Sequence, residues 1–176
     1  MFSKKRLLFG AIALYLLGTA FHFLFELFGR PVWAALFFAV NESVWEHMKL
    51  LNTAAIVWMT ADWLLAEKAL RPGFFAARAV ALPVALLSIP ILFYFIKGAF
   101  NAENLIIDIA LYVFSSVLYQ YMALKLERRF AAKTGSNLFG IVALAAIFGI
   151  FVLFTFLPPH LPLFQDTPTG TYGIPK

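Results

Sequence analysis

The stretch that decides the fold is NLFGIVALAAIFGIFVLFTFL, residues 137–157, which contains no charged residue. A helix needs about 20 apolar residues to cross the hydrocarbon core of a membrane, and this run is long enough. Four further apolar runs occupy residues 7–29, 44–66, 74–96 and 104–124. Because a helix satisfies its own backbone hydrogen bonds in lipid, the pattern predicts an all-α integral membrane bundle of five transmembrane helices in a single domain.

The composition points to the same class of protein. Of the 176 residues, 62% are hydrophobic and 13% are charged, and the mean hydropathy is +0.85. Soluble domains carry about 25% charged residues. The net charge is +5, but the basic residues lie in short loops between the apolar runs, so we interpret them as topology signals and expect no nucleic-acid partner. The absence of cysteine excludes disulfides, thiolate metal ligands and a cysteine nucleophile.

The basic residues also predict the orientation of the chain. Lys4-Lys5-Arg6 before the first apolar run resembles a signal peptide, but no clear small-x-small cleavage site follows, so this run is predicted to be a retained span. With the N-terminus in the cytoplasm, ten basic residues fall inside (Lys4, Lys5, Arg6, Lys68, Arg71, Arg78, Lys125, Arg128, Arg129, Lys133) and four outside (Arg30, Lys49, Lys97, Lys176). The positive-inside rule then predicts a cytoplasmic N-terminus and an extracytoplasmic C-terminus.

Two segments outside the five runs need their own interpretation. Pro31–Val40 is apolar, but as a helix it would reach only about 15 Å, half of a hydrocarbon core. It is predicted to be re-entrant or interfacial, and the alternative is one long helix from its first residue to about Ala66. Pro158–Lys176 is rich in Pro, Gly and Thr, yet it carries anchors such as Phe164 and Tyr172. We therefore predict an ordered tail that forms a lid.

Polar residues collect on the predicted outer side. His22 and Glu26 share one face of the first helix through their i,i+4 spacing, and Asn104, Asp108 and Tyr112 share one face of the fourth. Charge at a membrane is costly, so such a concentration suggests a functional site. The ionisable residues expected to converge there are His22, Glu42, Glu46, His47, Glu103, Asp108, His160 and Asp166.

The residue types in this group predict a site for a divalent metal. Imidazole with carboxylate, in the absence of thiolate, suits catalytic Zn²⁺ or a similar ion, which would activate a water molecule. The candidate metal ligands are His22, His47, His160 and Asp166. The candidate catalytic acids and bases are Glu42, Glu46 and Asp108.

A purely structural interpretation of the same residues stays open. Ser43-Val44-Trp45-Glu46 matches the capping-box pattern, in which Ser43 caps the second helix and Glu46 returns to the backbone N–H of the cap residue. Asp62, near the inner end of that helix, is expected at the interface beside Lys68. The outer acids could simply pair with basic residues, and the histidines could be hydrogen-bonded packing residues. The basic partners on that side are Arg30, Lys49 and Lys97.

Two motifs carry a family resemblance. NESVWEHMKLL at residues 41–51, together with PPHxPLFxDxxTGxYG at residues 158–173, resembles an uncharacterised family of small bacterial multi-pass membrane proteins, known as a domain of unknown function. The resemblance implies a bacterial cytoplasmic membrane location and supplies no activity.

Three functions remain open at this point, and the sequence does not decide whether the protein is an enzyme. The first is a metal-dependent hydrolase or transferase that acts on a lipid or lipid-linked substrate. The second is a binding protein for membrane lipids or a membrane protein partner. The third is a component of a cation- or proton-coupled transporter, in which Glu42, Glu46 and Asp108 would titrate. Few polar residues continue a path through the inner half, which weakens the third.

Overall fold

The computed structural model describes residues 4–65, 71–102, 104–133 and 135–175. Four residues named above lie outside these ranges: Ala66, Lys68, Glu103 and Lys176. The described chain forms five helices, which confirms the all-α prediction: α1 (Lys4–Leu27), α2 (Val44–Leu65), α3 (Phe74–Phe100), α4 (Leu105–Phe130) and α5 (Ser136–Phe156). Two single 3₁₀ turns, Ala34–Leu36 and Pro162–Phe164, and one isolated β-bridge between Gln165 and Tyr172 complete the described secondary structure.

Four of these helices, α1, α3, α4 and α5, are long and apolar enough to cross a membrane. This indicates a multi-pass membrane protein. Apolar side chains project outward from them, as a lipid-facing surface requires: Phe9 is 65% exposed, Ile106 is 79% exposed and Leu138 is 69% exposed. Length and composition therefore support four spans where the sequence predicted five.

Helix α2 is the exception because it carries the buried polar residues of the bundle. It has 22 residues, and α1 and α3 pack along it. Part of its apolar surface is enclosed, since Leu51 and Ala54 are 0% exposed. Its polar side chains are enclosed as well, and those less than 10% exposed are Glu46, Lys49, Asn52, Thr53 and Asp62. Burial against protein removes these groups from lipid, where each would be costly.

One end of the bundle is held by a cluster of charged residues. Asp62 accepts hydrogen bonds from Arg6 (2.9 Å), Arg71 (3.1 Å) and Arg78 (2.7 Å). Glu127 is the second acid and binds Arg78 at 3.1 Å. Asp62 is thus buried and bound by three arginines. The cluster joins the start of α1, the end of α2, the start of α3 and the end of α4, and it explains why α4 runs beyond its apolar segment.

The connection between α1 and α2 is not a continuous helix, so the alternative of one long helix beginning at residue 31 is wrong. Helix α1 ends in a left-handed turn at Gly29, with a φ of 78°. Past Ala34–Leu36 the chain is irregular until α2 begins at Val44. Side chains of α2 replace the missing helical hydrogen bonds: Lys49 Nζ donates to the carbonyl of Ala35 at 3.0 Å, and the Glu46 carboxylate accepts from the backbone of residue 40 at 2.9 Å.

The C-terminal tail folds back over the end of the bundle opposite the arginines. Phe164 is 5% exposed, and its ring centroid lies 4.7 Å from that of Trp45. The side-chain amide of Asn41 donates to the carbonyl of Gly173 at 2.8 Å. These contacts fix the tail on the loop that precedes α2.

Candidate metal site

Three side chains from separate elements meet at this end of the bundle. His22 comes from the last third of α1, Glu42 from the loop before α2, and His47 from the first turns of α2. Glu42 Oε2 lies 3.3 Å from His22 Nε2 and 3.8 Å from His47 Nε2. One ligand atom of each residue lies within 4.8 Å of the others. The structure therefore brings together two of the predicted metal ligands and one of the predicted acids.

A backbone contact orients His47. Its Nδ1 lies 2.9 Å from the carbonyl oxygen of Ser43, one turn earlier in the chain. A carbonyl only accepts hydrogen bonds, so this contact places the proton on Nδ1. The lone pair of His47 Nε2 then faces Glu42. This tautomer is the one in which a histidine binds a metal ion through Nε2.

Glu42 is held in the ionised form that a metal ligand requires. The hydrogen bond with His22 lowers the pKa of the Glu42 carboxyl below its ordinary 4.5, and partial burial opposes the shift without reversing it. The Glu42 side chain is 48% exposed, so the group remains accessible. Its backbone N–H donates to Asp166 Oδ1 at 2.8 Å. The tail therefore fixes the main chain of Glu42, while its carboxylate faces the two histidines.

The distances suit a small divalent ion. Zinc bonds of about 2.0–2.2 Å in a tetrahedron separate neighbouring ligand atoms by about 3.3–3.5 Å. The 3.3 Å between Glu42 and His22 lies in this range, and the 3.8 Å between Glu42 and His47 is slightly longer. All three ligand atoms lie within 4.8 Å of one another, so an ion would require the side chains to move closer together. Two histidines and one glutamate also form a known catalytic zinc set, which leaves the fourth position open for water. The group could hold a metal ion.

The three residues border a pocket of about 470 Å³ at this end of the bundle. Asp108 of α4 lines the same pocket, and Thr167 and Pro168 of the tail close part of it. The remaining wall is mostly apolar and consists of Phe23, Val44, Ile89, Phe93, Leu105, Leu111 and Tyr112. The pocket therefore has His22, Glu42 and His47 in one part of its wall and mostly apolar side chains in the rest.

A second space of about 290 Å³ continues from the pocket between α1 and α4, and we call it the lateral slot. It shares His22, His47 and Asp108 with the pocket. Gly18 makes room here for the side chain of Tyr112, because a Cβ at this position would lie 1.8 Å from the Tyr112 hydroxyl oxygen. The other residues that line the slot are Tyr15, Thr19, Phe23, Leu50, Leu105 and Ile109.

Glu46, a predicted catalytic residue, lies outside the pocket. It is 2% exposed and forms an ion pair with Lys49. Half of the expected capping box is present, since Ser43 Oγ accepts from the N–H of Glu46 at 3.3 Å. The Glu46 carboxylate does not return to Ser43, whose N–H donates to Asn41 Oδ1 at 2.9 Å. Glu46 therefore binds Lys49 and the backbone of the preceding loop.

His160 and Asp166, both predicted metal ligands, do not belong to the group formed by His22, Glu42 and His47. The His160 ring stacks on Tyr172 with centroids 4.7 Å apart. Asp166 is 6% exposed, and besides the N–H of Glu42 it accepts from the backbone and side chain of Thr169. Its carboxylate is therefore occupied by donors and acts on Glu42 through the backbone.

Sequence reasoning missed two features of the site. The first is the contact between the Ser43 carbonyl and the His47 ring, which orients the ring. The i,i+4 spacing of these two residues at the start of a helix could have indicated it. The second is the contribution of Thr167 and Pro168 to the pocket wall. A predicted lid did not identify which of its residues would face the site.

A family model covers residues 1–174, almost the whole chain. The chain belongs to the DUF6512 family. This family is described as one of unknown function, so membership agrees with the resemblance noted above and supplies no activity. No curated protein and no solved structure matches this DUF6512 chain. Its function must therefore be argued from the site.

Proposed function

We propose that this DUF6512 protein is a metal-dependent hydrolase or transferase of the membrane that acts on a lipid or lipid-linked substrate. The observation that carries the proposal is the convergence of His22, Glu42 and His47 at the polar end of an apolar pocket. A two-histidine, one-carboxylate set with an open position is the arrangement of catalytic zinc. An apolar pocket in a membrane protein suits the hydrocarbon part of a lipid.

The chemistry follows from the residues around the open position. A bound zinc ion would lower the pKa of its water to about 7 and polarise the carbonyl or phosphoryl group of the substrate. Asp108 lines the same pocket and is the candidate general base and acid for the proton of that water. In a transferase, the hydroxyl group of a second substrate would take the place of water.

The placement of the helix ends supports five membrane crossings. Helices α1, α2 and α4 each carry a polar residue of the pocket and a residue of the arginine cluster, near opposite ends: His22 and Arg6, His47 and Asp62, Asp108 and Glu127. Helix α2 therefore reaches from one end of the bundle to the other, as α1 and α4 do, and its buried polar groups are shielded by protein. By the positive-inside rule we place the arginine cluster on the cytoplasmic side. The site would then face outward from a bacterial cytoplasmic membrane, with residues 31–40 at the outer interface.

The test is the metal content of protein purified in detergent without chelator, determined by elemental mass spectrometry. We expect about one divalent ion per chain in the wild type. His47→Ala should lose it, while His160→Ala is the matched control, because its ring stacks on Tyr172 and does not belong to the group of His22, Glu42 and His47. Equal metal content in the two variants, or none in the wild type, would contradict the proposal.

A second measurement tests the activity. The purified protein is incubated with an extract of bacterial membrane lipids, and released products are identified by mass spectrometry. Chelation should abolish the release and zinc should restore it. Asp108→Asn should keep the metal but lose about 100-fold or more in rate, as expected for a general base. Product release that persists after chelation would refute the role of the metal.

A further inference from the structure

We infer that the lateral slot takes the acyl chain of a lipid, and that the bond presented to the metal site is an uncharged carboxylic ester or amide. This inference rests on the proposed function and specifies its substrate class. It depends on three observations: the continuity of the slot with the pocket, the lipid-facing position of its entrance, and the distribution of charge around the site.

The slot and the pocket together fit a molecule with one apolar and one polar part. The two spaces share His22, His47 and Asp108, so a ligand in the slot would reach these polar groups at one end. The rest of the slot is lined by α1 and α4 with residues such as Leu105 and Ile109. Volumes of about 470 and 290 Å³ lie in the range of small-ligand sites. An acyl chain ending in a carbonyl group has this distribution of polarity.

The entrance of the slot faces the membrane. Phe23 on α1 is 63% exposed, and on α4 Leu105 is 72% exposed and Ile109 is 41% exposed. Both helices are candidate membrane spans, so these exposed apolar residues lie on lipid-facing surfaces. A lipid could therefore enter sideways from the bilayer without leaving an apolar environment. The tail, with Thr167 and Pro168 on the pocket wall, restricts access from the aqueous side.

The charges indicate an uncharged reacting group. Two carboxylates, those of Glu42 and Asp108, belong to the pocket lining and would face a bound divalent ion. Neither lysine nor arginine is among the described residues that line the pocket and the slot. Lys97 lines an adjoining cavity that also contains Asp166, and its Nζ lies 5.6 Å from the ring centroid of Phe93. A phosphate at the bond to be cleaved would meet the two carboxylates without a basic side chain of the pocket lining to offset them, which favours an uncharged group.

The reaction balances with water as the only co-reactant. In this hydrolysis the oxygen of a water molecule would form a bond to the carbonyl carbon of the ester or amide. A metal ion held by His22, Glu42 and His47 would supply the positive charge that lowers the pKa of this water. Asp108 would take a proton from this water. It would deliver the proton to the leaving oxygen of an ester as the C–O bond breaks, or to the leaving nitrogen of an amide as the C–N bond breaks. The products are a fatty acid and an alcohol or an amine.

The experiment uses a photoreactive diacylglycerol with a diazirine in one acyl chain, added to the full-length protein in maltoside micelles. Labelled peptides identify the contact positions. We expect labels on the slot faces of α1 and α4, and competition by dioleoylglycerol at an about tenfold lower concentration than by dioleoylphosphatidic acid, which has the same chains but a phosphate. Equal labelling of all lipid-facing helices, or equal competition by the two lipids, would overturn the inference.

Matched variants locate the binding site. Ile109→Trp fills the slot, whereas Ile106→Trp adds the same bulk on the same helix at a position that does not line it. Labelling should fall about fivefold or more in the first variant and persist in the second. Thr19→Trp on the facing helix provides a second obstruction if the first variant does not fold. Unchanged labelling in both slot variants would contradict the inference.

Metal content, measured in the same samples, separates the two proposals. None of the tryptophan substitutions changes a residue of the His22, Glu42 and His47 group. Retained metal with no specific labelling would refute the acyl slot alone. Absence of metal in the wild type would refute the proposed function, whatever the labelling shows.

Discussion

The buried ion pair between Lys49 and Glu46 permits a quantitative test of what stabilises the end of the bundle that carries the candidate metal site. Lys49 is 0% exposed, and its Nζ donates to the carbonyl of Ala35 and to Thr155 Oγ1, each at 3.0 Å, in addition to its contact with Glu46. Lys49→Met keeps most of the side-chain volume but removes the charge and all three contacts. The carboxylate of Glu46 would then be buried without a cation.

The expected cost is about 4 kcal/mol, since removing one partner of a buried ion pair destabilises by roughly 3–5 kcal/mol. For a chain of this length the cost corresponds to a fall in Tm on the order of 10 °C. The double variant Glu46→Gln/Lys49→Met buries no charge, and a glutamine oxygen can still accept the backbone hydrogen bond that Glu46 accepts. It should recover about half of the loss.

The assay is thermal unfolding in detergent, followed by the fluorescence of the four tryptophans, of which Trp45 is next to Glu46 in the chain. Lys125→Met, at an exposed position of α4, is the control and should change the stability by about 0.5 kcal/mol or less. A Lys49→Met variant as stable as the wild type would show that the pair is not ionised. A folded, metal-loaded double variant without activity would instead support a catalytic role for Glu46.

Two further predictions concern the groups around the metal. Asp166→Asn should weaken metal binding by about tenfold, because an asparagine oxygen is a weaker acceptor for the backbone N–H of Glu42. The zinc affinity is measured by titration against a zinc indicator. An unchanged affinity would refute the role of the tail in positioning Glu42. In metal-free protein, the hydrogen bond with His22 makes the pKa of Glu42 lower in the folded chain than in the unfolded one. The ionised Glu42 carboxylate therefore stabilises the folded chain above about pH 4.5, and this stabilisation is lost as the pH falls below that value. The loss should stay below about 1 kcal/mol, since the group is half exposed, and Glu42→Gln should remove it from the profile of Tm against pH; an identical profile in Glu42→Gln would contradict this assignment.

The helices were predictable because a helix that crosses a membrane needs about 20 consecutive, mostly apolar residues, and such runs are visible in the sequence. The predicted start of α2 at residue 44 and of α3 at residue 74 agree with the structure. The end of α4 was predicted at residue 124, whereas the helix continues to Phe130. Hydropathy marks the edge of an apolar run, but charged residues such as Glu127 are good helix formers and extend the helix beyond it.

The site was predictable only in part, because hydropathy and spacing do not determine which partner a polar group finds. The spacing placed His22 and Glu26 on one face of α1, yet Glu26 binds Arg30 at 2.8 Å and His22 binds Glu42. Asp166 was equally acidic in the sequence, but its carboxylate binds backbone N–H groups of the tail and the loop. Backbone donors of this kind are set by local conformation, which the residue types alone do not reveal.

The tail also has a consequence for the order in which the protein is assembled during synthesis. Asp166 lies 124 positions after the residue whose N–H it binds, so the two segments leave the ribosome far apart in time. The helices can pack as they are inserted, but the loop with Glu42 reaches its final conformation only after residues 158–175 have been made. A nascent chain would therefore have folded membrane helices while the group of His22, Glu42 and His47 is still incomplete. Metal binding by this group would be delayed until residues 158–175 have docked.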